Sequence, residues 1–430
     1  MKTKRIISLL LACILLFSLV SLVACDNTDP KDTDKATNDD TTAEESKPDE
    51  STPAETTPKD SDNKDPDDNK GDDDKDKDDP KVITTKTYNF ADILDNVKTF
   101  GRTSVIGTGI ACDHVASGFE FNAYIEGKLT VSITVAKGTT ATQSTDKPLN
   151  DDCYYTLYVD GVRSETRFKA TKNTTTTLEL ANFTEGGVHN IRLIKQTEPR
   201  NGISTLNTLA FTGYFEEKPA DAQYLIEFVG DSITAGYGNL TDKSQTAGVA
   251  QTAVNQDATK SFAYLTAQKL GADHTTVSTS GIGVALGWRG FTMKDLYGVG
   301  SYYRNQTAQY TPTRTPDVVV INLGTNDESK SAPGNDYKTA VKALIMQVRE
   351  TYGENVTIVW AYGMMSNTDY ANNVQSAIDD FGGASAGLYM CKLTYDRDAG
   401  GGHPDCDAHE ASAQTLAAFI QNTIFAASNG

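Results

Sequence analysis

The strongest constraint on the fold of this chain is the alternation of two periodicities between residue 220 and the C terminus. Short apolar segments with strand character alternate there with longer segments whose apolar residues recur at helical spacing. Strands that alternate with helices predict a three-layer α/β/α sandwich around a parallel sheet. The strands are predicted at 225–229, 275–278, 318–323, 356–362 and 388–393, and the helices at 259–270, 337–352, 372–380 and 410–426.

The preceding part of the chain has the period-two alternation of β-strands instead. Turn signals such as Asp160-Gly161 and Gly186-Gly187 separate the alternating segments, which lie at 119–126, 129–135, 154–161, 177–183, 189–195 and 206–215. Many short strands at regular spacing predict an all-β sandwich, and we expect a jelly roll. The predicted domains are therefore a β-sandwich at 83–219 and an α/β domain at 220–430.

The N terminus has the features of an export signal. Residues 1–5 are basic and residues 6–24 are almost wholly apolar, which predicts a signal peptide at 1–24 rather than a spanning helix. The ending Leu22-Val23-Ala24-Cys25 resembles the bacterial lipoprotein cleavage box. That resemblance implies that Cys25 is lipidated and holds the protein at the membrane surface of the cell envelope, outside the cytoplasm. The alternative is an ordinary secreted protein.

Most of the negative charge lies in a segment that is not expected to fold. Residues 26–80 contain no aromatic residue and no Ile, Leu, Val or Met, and their 22 acidic and 8 basic side chains give −14 of the net charge of −19. Such a segment buries too little apolar surface to become ordered, so residues 25–82 are predicted to be a lipidated, disordered acidic linker. No basic patch remains for a nucleic acid, and we expect no nucleic-acid partner.

Four cysteines remain after the signal and the lipidated position are set aside. Outside the cytoplasm an even number of cysteines can pair, and the simplest pairing within each domain is Cys112–Cys153 and Cys391–Cys406. Free buried thiols are the alternative. Neither pair has metal-ligand spacing, so we expect no structural zinc and no other metal or cofactor.

Four polar or glycine-rich blocks follow strands of the predicted parallel sheet. They contain Ser232 in Gly-Asp-Ser, Gly281 in Ser-Gly-Ile-Gly, Asn326 in Gly-Thr-Asn-Asp and His403 in Gly-Gly-Gly-His-Pro. A lone Gly-Asp-Ser is also an ordinary turn sequence. Parallel strands bring their carboxyl ends to one edge of the sheet, so the four blocks are expected to meet.

The residue types in these blocks are those that acyl transfer requires. A serine hydroxyl becomes a nucleophile when a base removes its proton, and the imidazole of His403 has a suitable pKa to do so for Ser232. The oxyanion of the tetrahedral intermediate needs fixed donors. The backbone N–H groups of Ser232 and Gly281 and the side-chain amide of Asn326 are the predicted donors.

Together these four blocks resemble the SGNH (GDSL) hydrolase superfamily. With the preceding β-sandwich and the Gly-Met-Met at 363–365, the chain is similar to carbohydrate esterase family 2 over residues 85–428. This resemblance implies an acetylxylan esterase or related enzyme that removes O-acetyl groups from plant polysaccharides such as acetylxylan or glucomannan. Two alternatives are an SGNH lipase or arylesterase and a non-catalytic carbohydrate-binding surface protein. We expect a monomer.

The chain departs from the superfamily pattern in the residue that orients the histidine. The aspartate usually found three residues before it is Gly400 here, while Asp398 lies five residues before His403. The third member is therefore either Asp398 or a main-chain carbonyl. His409, at the start of the last predicted helix, is a weaker candidate for the base. Trp288 and Tyr237 are candidate substrate contacts, although both are equally suited to plain packing.

Overall fold

The computed structural model describes residues 82–140, 147–365 and 370–426. The predicted signal peptide, the lipidated Cys25 and the acidic linker lie outside the described residues. The described residues belong to one compact unit. None of the helices among them is both long and apolar enough to cross a membrane.

The first part of the chain forms an antiparallel sheet of nine strands. The strands are β1 (Thr84–Asn89), β2 (Lys98–Phe100), β3 (Ser104–Ile106), β4 (Gly109–Ala111), β5 (Gly118–Ala136), β6 (Cys153–Val159), β7 (Val162–Ala170), β8 (Thr174–Lys195) and β9 (Ile203–Phe215). Their order is β3-β4-β9-β5-β8-β6-β7, with β1 paired to β9 and β2 paired to β5. The all-β character is confirmed, while the jelly roll and the domain bounds stay predictions.

Two turns predicted in this domain are absent because the strands continue through them. The segments 119–126 and 129–135 form one strand, β5, in which an irregularity at Gly127 shifts the register. Gly127 has a φ of 72°, which a glycine adopts without strain. In the same way 177–183 and 189–195 belong to β8, where Gly187 pairs with Ile125. The glycines mark bends in long strands here, not hairpin turns.

The second part of the chain forms a parallel sheet of five strands, as predicted. Its strands are β10 (Leu225–Gly230), β11 (Asp273–Ser278), β14 (Val318–Asn322), β15 (Thr357–Tyr362) and β16 (Leu388–Lys392), in the order β11-β10-β14-β15-β16. A separate antiparallel hairpin, β12 (Val299–Ser301) and β13 (Asn305–Gln309), was not predicted. The order places β10 between β11 and β14, so the ends of these three strands meet.

Eight helices accompany the parallel sheet within the described residues. They are α1 (Ser232–Ala235), α2 (Ala247–Ala250), α3 (Phe262–Lys269), α4 (Met293–Tyr297), α5 (Thr325–Ser329), α6 (Gly334–Tyr352), α7 (Tyr370–Asp380) and α8 (Cys406–Ile420), the last continuing as a π-turn over Gln421–Phe425. The four predicted helices correspond to α3, α6, α7 and α8. The four shorter helices were not predicted, because four or five residues carry no periodic signal.

Alternation along the central strands divides the apolar core into two layers. Val319 and Ile321 of β14 pack in one cluster with α6 and α7. Val318 and Val320 of the same strand pack in the other cluster, with α3 and α8. Each face of the sheet is therefore covered by helices, which confirms the three-layer arrangement.

The two sheets are joined by charged side chains that cross between them. Arg102, which follows β2, donates through Nη2 to Glu227 Oε1 on β10 at 3.1 Å and through Nη1 to the main-chain oxygen of Tyr297. Both charged side chains are almost completely buried. The hydroxyls of Tyr297 and Tyr352 also donate to the Glu227 carboxylate, at 2.6 and 3.0 Å. A charge buried on the central sheet of one domain is thus neutralised by the other.

The predicted disulfides are wrong in this structure, where all four described cysteines are free. Three of the thiols lie at hydrogen-bond distance from an oxygen atom. Cys112 Sγ is 3.1 Å from Ser117 Oγ, and Cys153 Sγ is 3.4 Å from the carbonyl oxygen of Gly202. Cys406 Sγ is 3.1 Å from the carbonyl oxygen of Asn239. Cys391 is packed in the apolar layer against α3 and α8. Burial raises the pKa of Cys112 to about 12, and those of Cys391 and Cys406 to about 11, so the thiols stay protonated near neutral pH.

We expect Arg102→Met to lower the free energy of unfolding by about 3–5 kcal/mol, because it leaves a buried carboxylate without its cation. Adding Glu227→Gln should recover part of this loss, since the uncompensated charge is then removed. Urea unfolding followed by fluorescence measures both. Lys128→Met, which breaks an exposed ion pair with Glu179, is the control and should change stability by less than about 1 kcal/mol. Equal effects of Arg102→Met and Lys128→Met would show that the buried pair contributes no more to the free energy of unfolding than an exposed pair does.

Candidate active site

The end of β10 and the turn after it present Ser232 at the edge of the parallel sheet. Asp231 caps the one-turn helix α1 by accepting the Ile233 N–H at 2.9 Å. Gly230 lets the chain turn tightly, because a Cβ there would lie 1.9 Å from Thr234 Oγ1. Ser232 thus stands at the first position of a helix, where a backbone N–H has no acceptor within the helix.

The glycine-rich loop between β16 and α8 brings His403 to this serine. His403 Nε2 and Ser232 Oγ are 2.9 Å apart, within hydrogen-bond distance. Gly401 and Gly402 have positive φ values of 68° and 71°, which fold the loop back toward α1. The ring of Tyr237 lies 4.4 Å from the imidazole, centroid to centroid, and its hydroxyl donates to the Ala247 oxygen. Tyr237 therefore holds the imidazole from one side.

The imidazole of His403 is held in its neutral form. Burial lowers its pKa to about 4, the main-chain carbonyl of Gly401 acts in the opposite direction, and the charge of Arg397 lowers the pKa further. Nδ1 is buried and makes no hydrogen bond of good geometry within the described residues. The Gly401 carbonyl is thus the polar group that acts on the imidazole, although its geometry with Nδ1 is not that of a regular hydrogen bond.

Asp398 is not placed to orient His403, so the prediction of an aspartate at that position is wrong. Its carboxylate forms an exposed ion pair with Lys243, with Oδ1 and Nζ 2.5 Å apart. The loop between Asp398 and His403 is closed by the Ala399 N–H, which donates to the His403 oxygen, and Asp398 is not among the residues that line the cleft. The main-chain alternative is the one that this geometry favours.

Backbone N–H groups beside Ser232 suit a developing negative charge. Gly281 follows β11 with a φ of 84°, and its N–H donates to no acceptor among the described residues. A Cβ at this position would lie 2.8 Å from Arg289 Nη2, so the loop is closed to larger residues. Ser232 and Gly281 both line one cleft, so their backbone N–H groups are the candidate donors to the oxyanion.

The Asn326 amide differs from the predicted free donor. It lines the same cleft, but its Nδ2 donates to Asp231 Oδ2 and to the Ile282 oxygen, both at 2.9 Å. Both amide hydrogens are therefore engaged in the resting structure. Burial raises the pKa of Asp231 to about 7, and the charge of Asp327 adds to this rise.

The neighbouring carboxylate of Asp327 shapes the loop that follows Gly281. Its two oxygens accept the N–H groups of Val284, Ala285 and Leu286 at 2.9, 2.7 and 2.8 Å. Three main-chain donors on one buried carboxylate fix the loop without any contact to a substrate.

The first domain supplies a residue that sequence analysis missed. Glu198, in the loop between β8 and β9, is fully buried and reaches the loop that carries Gly281. Its Oε2 accepts the Ser280 N–H at 2.6 Å and its Oε1 accepts the Ser280 hydroxyl at 2.7 Å. No motif surrounds Glu198 in the sequence, and only the docking of the two sheets reveals its partner. The residue directly before the oxyanion glycine is therefore fixed by the other domain.

These side chains open onto one cleft of about 450 Å³. Ser232, Gly281, Asn326 and His403 all line it, as the sequence predicted. Trp288 also lines it, is 55% exposed, and donates through Nε1 to Ser329 Oγ at 3.0 Å. The further lining residues are Arg200, Tyr237, Ala247, Gln251, Ser280, Arg289, Thr325, Ser329, Met365, Arg397 and Gly401. Trp288 is thus partly open to a ligand at the mouth, with Lys330 Nζ 3.5 Å from its ring centroid, whereas Tyr237 packs against His403.

His409 has a packing role, in line with its lower ranking as the base. It is completely buried in α8, its Nδ1 accepts the Phe262 N–H at 3.1 Å, and its ring stacks on that of Phe262. Burial lowers its pKa to about 3. Within the described part of the chain, no group of three or more His, Cys, Asp and Glu side chains could hold a metal ion.

Two family models match the chain, one for each sheet. Residues 228–416 match the GDSL-like lipase/acylhydrolase family, and residues 101–218 match the carbohydrate esterase 2 N-terminal family. The chain therefore contains a GDSL-like acylhydrolase domain, preceded by a carbohydrate esterase 2 N-terminal domain. We call the two parts the acylhydrolase domain and the N-terminal domain.

Individual relatives agree with this assignment. The chain is 31% identical over 267 residues to the cellulase/esterase CelE of Acetivibrio thermocellus, which covers 58% of this chain and 32% of that protein. It is 29% identical over 251 residues to an acetylxylan esterase/glucomannan deacetylase of Cellvibrio japonicus, which covers 56% of this chain and 68% of the relative. The chain thus spans about a third of the length of CelE.

Solved structures show the same two-domain fold. A family two carbohydrate esterase from Clostridium thermocellum, in complex with cellohexaose, superimposes with a TM-score of 0.68 at 27% identity, covering 76% of this chain and 99% of that one. An acetyl xylan esterase from the rumen bacterium Butyrivibrio proteoclasticus superimposes with a TM-score of 0.69 at 18% identity, covering 80% and 99%. At that identity the second comparison speaks for the fold alone.

We expect Glu198→Ala to lower kcat about tenfold or more with little change in KM, because a misplaced oxyanion loop weakens interactions made in the transition state. Glu198→Gln keeps one acceptor oxygen for the Ser280 N–H and replaces the other oxygen by an amide NH2, which can donate to the Ser280 hydroxyl, so it should lose less. Steady-state kinetics on an acetyl ester, together with thermal unfolding, measures the effect. Glu120→Ala, which removes a buried carboxylate of the same domain that pairs with Arg192, is the control. A loss of stability without a loss of kcat would show that Glu198 is only structural.

The acid limb of kcat/KM should lie near pH 4 rather than near the ordinary histidine value of about 6.5. A lowered pKa keeps the imidazole neutral, and so able to accept a proton, until the pH falls to about 4. Arg397→Gln should move the limb upward, because a positive charge that opposes protonation is removed. A pH–rate profile in buffers of constant ionic strength tests this. A wild-type limb near pH 7 would instead report Asp231, whose pKa burial raises to about 7.

Proposed function

We propose that the chain is a serine esterase that removes O-acetyl groups from plant cell-wall polysaccharide of the acetylxylan or glucomannan type. The observation that carries the proposal is the 2.9 Å distance between Ser232 Oγ and His403 Nε2, beside the N–H groups of Ser232 and Gly281. The relatives named as acetylxylan esterase/glucomannan deacetylase support the acetyl group and the polysaccharide.

In the first step His403 Nε2 takes the proton of the Ser232 hydroxyl while Oγ attacks the acetyl carbonyl. The carbonyl oxygen becomes an oxyanion and accepts hydrogen bonds from the N–H groups of Ser232 and Gly281. As the tetrahedral intermediate collapses, the imidazolium gives its proton to the departing sugar oxygen and leaves an acetyl-enzyme. Water, activated by the same imidazole, then releases acetate and restores Ser232.

Asn326 becomes a donor to the oxyanion when one of its amide hydrogens leaves the acceptor that it has at rest. One of its amide hydrogens is donated to the neutral Ile282 carbonyl oxygen at rest. A hydrogen bond to a charged oxygen is roughly twice as strong as one to a neutral oxygen, so the developing oxyanion competes well for this donor. The bond to Asp231 keeps the amide in place during the exchange.

The imidazolium is stabilised without an aspartate partner. Asp398 is occupied by Lys243, and the Gly401 carbonyl is the polar group that acts on the ring. The proposed catalytic pair is therefore Ser232 and His403, with a main-chain oxygen in the third position. No metal or other cofactor takes part in the proposed steps.

The two alternative functions, a lipase and a carbohydrate-binding protein, would require different features of the cleft. A lipase would need a continuous apolar groove for a long acyl chain. The described cleft has apolar side chains such as Trp288 and Met365, but three arginines and several amides and hydroxyls lie among them. A purely carbohydrate-binding protein has no need of a serine at hydrogen-bond distance from a buried neutral imidazole. The short acetyl group and catalysis are therefore favoured.

The location of the enzyme is proposed from the sequence. Leu22-Val23-Ala24-Cys25 supports lipidation of Cys25 and attachment outside the cytoplasm at a membrane, with residues 26–82 between the anchor and the first strand. Polysaccharide substrates are found outside the cell, which agrees with this placement. We propose that the enzyme acts as a monomer.

Ser232→Ala is expected to reduce acetate release from acetylated xylo-oligosaccharides by about 10⁴-fold or more, because the hydroxyl is the proposed nucleophile. His403→Ala should be similarly severe, whereas His409→Ala should retain substantial activity in the fraction that folds. Acetate is measured directly, and an octanoyl ester tested alongside should be a poor substrate for the wild type. Ser385→Ala, outside the cleft, is the control. Activity that survives Ser232→Ala would contradict the mechanism, and a preference for the octanoyl ester would favour a lipase.

A further inference from the structure

The wall of the catalytic cleft carries an excess of positive charge. Arg200, Arg289 and Arg397 line it, while no Asp or Glu is found among its described lining residues. Neutral acetylated sugars present only hydroxyls, ring oxygens and ester carbonyls. Three guanidinium groups are more charge than such a ligand needs, and they point to a ligand that carries a negative charge.

Two of these arginines have no carboxylate partner in the described structure. The Arg200 side chain makes no hydrogen bond or ion pair there, and its Nε is buried without a partner. Arg397 donates through Nε to the Gly402 oxygen at 3.0 Å and forms no ion pair with a described residue. Arg289 is bound differently, since its Nε donates to the Ser280 oxygen at 2.8 Å. Arg200 and Arg397 are therefore the candidates for an external anion.

The acidic side chains nearby are already engaged. Glu198 lies behind the wall and accepts from Ser280 and Thr279. Asp398 pairs with Lys243, and Asp396 Oδ1 accepts the Asp398 N–H at 2.8 Å. These bonds keep the carboxylates off the cleft surface, so the arginines and not the carboxylates border the space that is open to a ligand.

Arg397 lies beside the loop that carries His403, since its Nε donates to the oxygen of Gly402, the residue directly before the histidine. Arg397 acts on His403, the group that protonates the departing sugar oxygen, and its charge opposes the imidazolium. Arg200 acts on Tyr237, whose ring packs against that imidazole. An anion bound between the arginines would offset the charge that opposes the imidazolium. The negative group therefore belongs to the sugar and not to the acyl group.

We propose that this cleft selects acetylated saccharides that carry a uronic acid close to the acetylated sugar, with Arg200 and Arg397 binding its carboxylate. Guanidinium groups present paired N–H donors that match the two oxygens of a carboxylate. A neutral sugar offers hydroxyls and no such charged pair of acceptors. The inference rests on the proposed deacetylase function and adds the charge of the substrate to it.

The test compares two acetylated xylo-oligosaccharides that are matched in length and acetyl content, with and without a glucuronosyl branch. The ratio of kcat/KM for the acidic to the neutral substrate should be about three to ten, the range that partly exposed ion pairs supply. Raising the ionic strength from about 0.05 M to about 0.5 M should bring the ratio toward one, because screening weakens the attraction.

Arg200→Gln and Arg397→Gln should each lower this ratio, whereas Lys392→Gln removes an equal charge from an exposed position outside the cleft and should leave it unchanged. Arg397 is exposed, so its variant is expected to fold even if Arg200→Gln does not. A ratio of one or less in the wild type, or a ratio that neither arginine affects, overturns the inference while deacetylation still stands. Arginine-dependent preference for a succinyl over an acetyl ester also overturns it, since the carboxylate then belongs to the acyl group. Failure to deacetylate either saccharide removes the proposed function and this inference together.

Discussion

A carboxylate buried on β10, an inner strand of the parallel sheet, determines how the molecule is assembled. Glu227 lies on β10, completely enclosed, five residues before the proposed nucleophile. The cation that neutralises it within the described structure is Arg102 of the N-terminal domain, assisted by two tyrosine hydroxyls. A buried charge without its partner is strongly destabilising. The acylhydrolase sheet is therefore complete only when the N-terminal domain is docked on it.

The same docking completes the catalytic edge. The loop between β8 and β9 approaches the acylhydrolase domain and places Glu198 against Ser280, next to Gly281. Two residues later in this loop, Arg200 reaches the cleft itself. Further ion pairs hold the two domains in this relation, among them Arg304 with Asp113 and Lys98 with Asp273. The N-terminal domain thus takes part in the site, and its role is not limited to a separate binding surface.

The fold and the site are predictable from the sequence where the local periodicity and the sheet topology lead to the same arrangement. The alternation of strands and helices predicted the parallel sheet, and residues at the ends of its strands were expected to meet; the structure brings Ser232 and His403 to hydrogen-bond distance. Prediction from the sequence is weakest where the partner is distant and carries no motif. Glu198 and Arg200 are ordinary loop residues until the sheets dock, and the engaged amide of Asn326 depends on where Asp231 points.

The wrong predictions have physical causes of the same kind. Gly186-Gly187 has the composition of a turn, yet the long ladder between β5 and β8 continues across it. Asp398 was a candidate by its spacing, but the nearby Lys243 captures its carboxylate. The cysteines were counted as pairs, whereas each described thiol has its own neighbour in the fold. Spacing along the chain constrains what is possible, while competition between partners decides the outcome.

The hydrogen bonds of Asp327 fix the loop that follows Gly281, and they do not involve the residues that border the cleft opening. The oxyanion loop is held from behind, by carboxylates that bind main-chain N–H groups and touch no ligand. The side chains of Gln251, Trp288 and Met365 line the mouth of the cleft, and none of these three side chains bonds to Asp327 or Glu198. New substrate preferences can therefore evolve by replacing residues at the mouth, one at a time, while the geometry of acyl transfer is inherited intact.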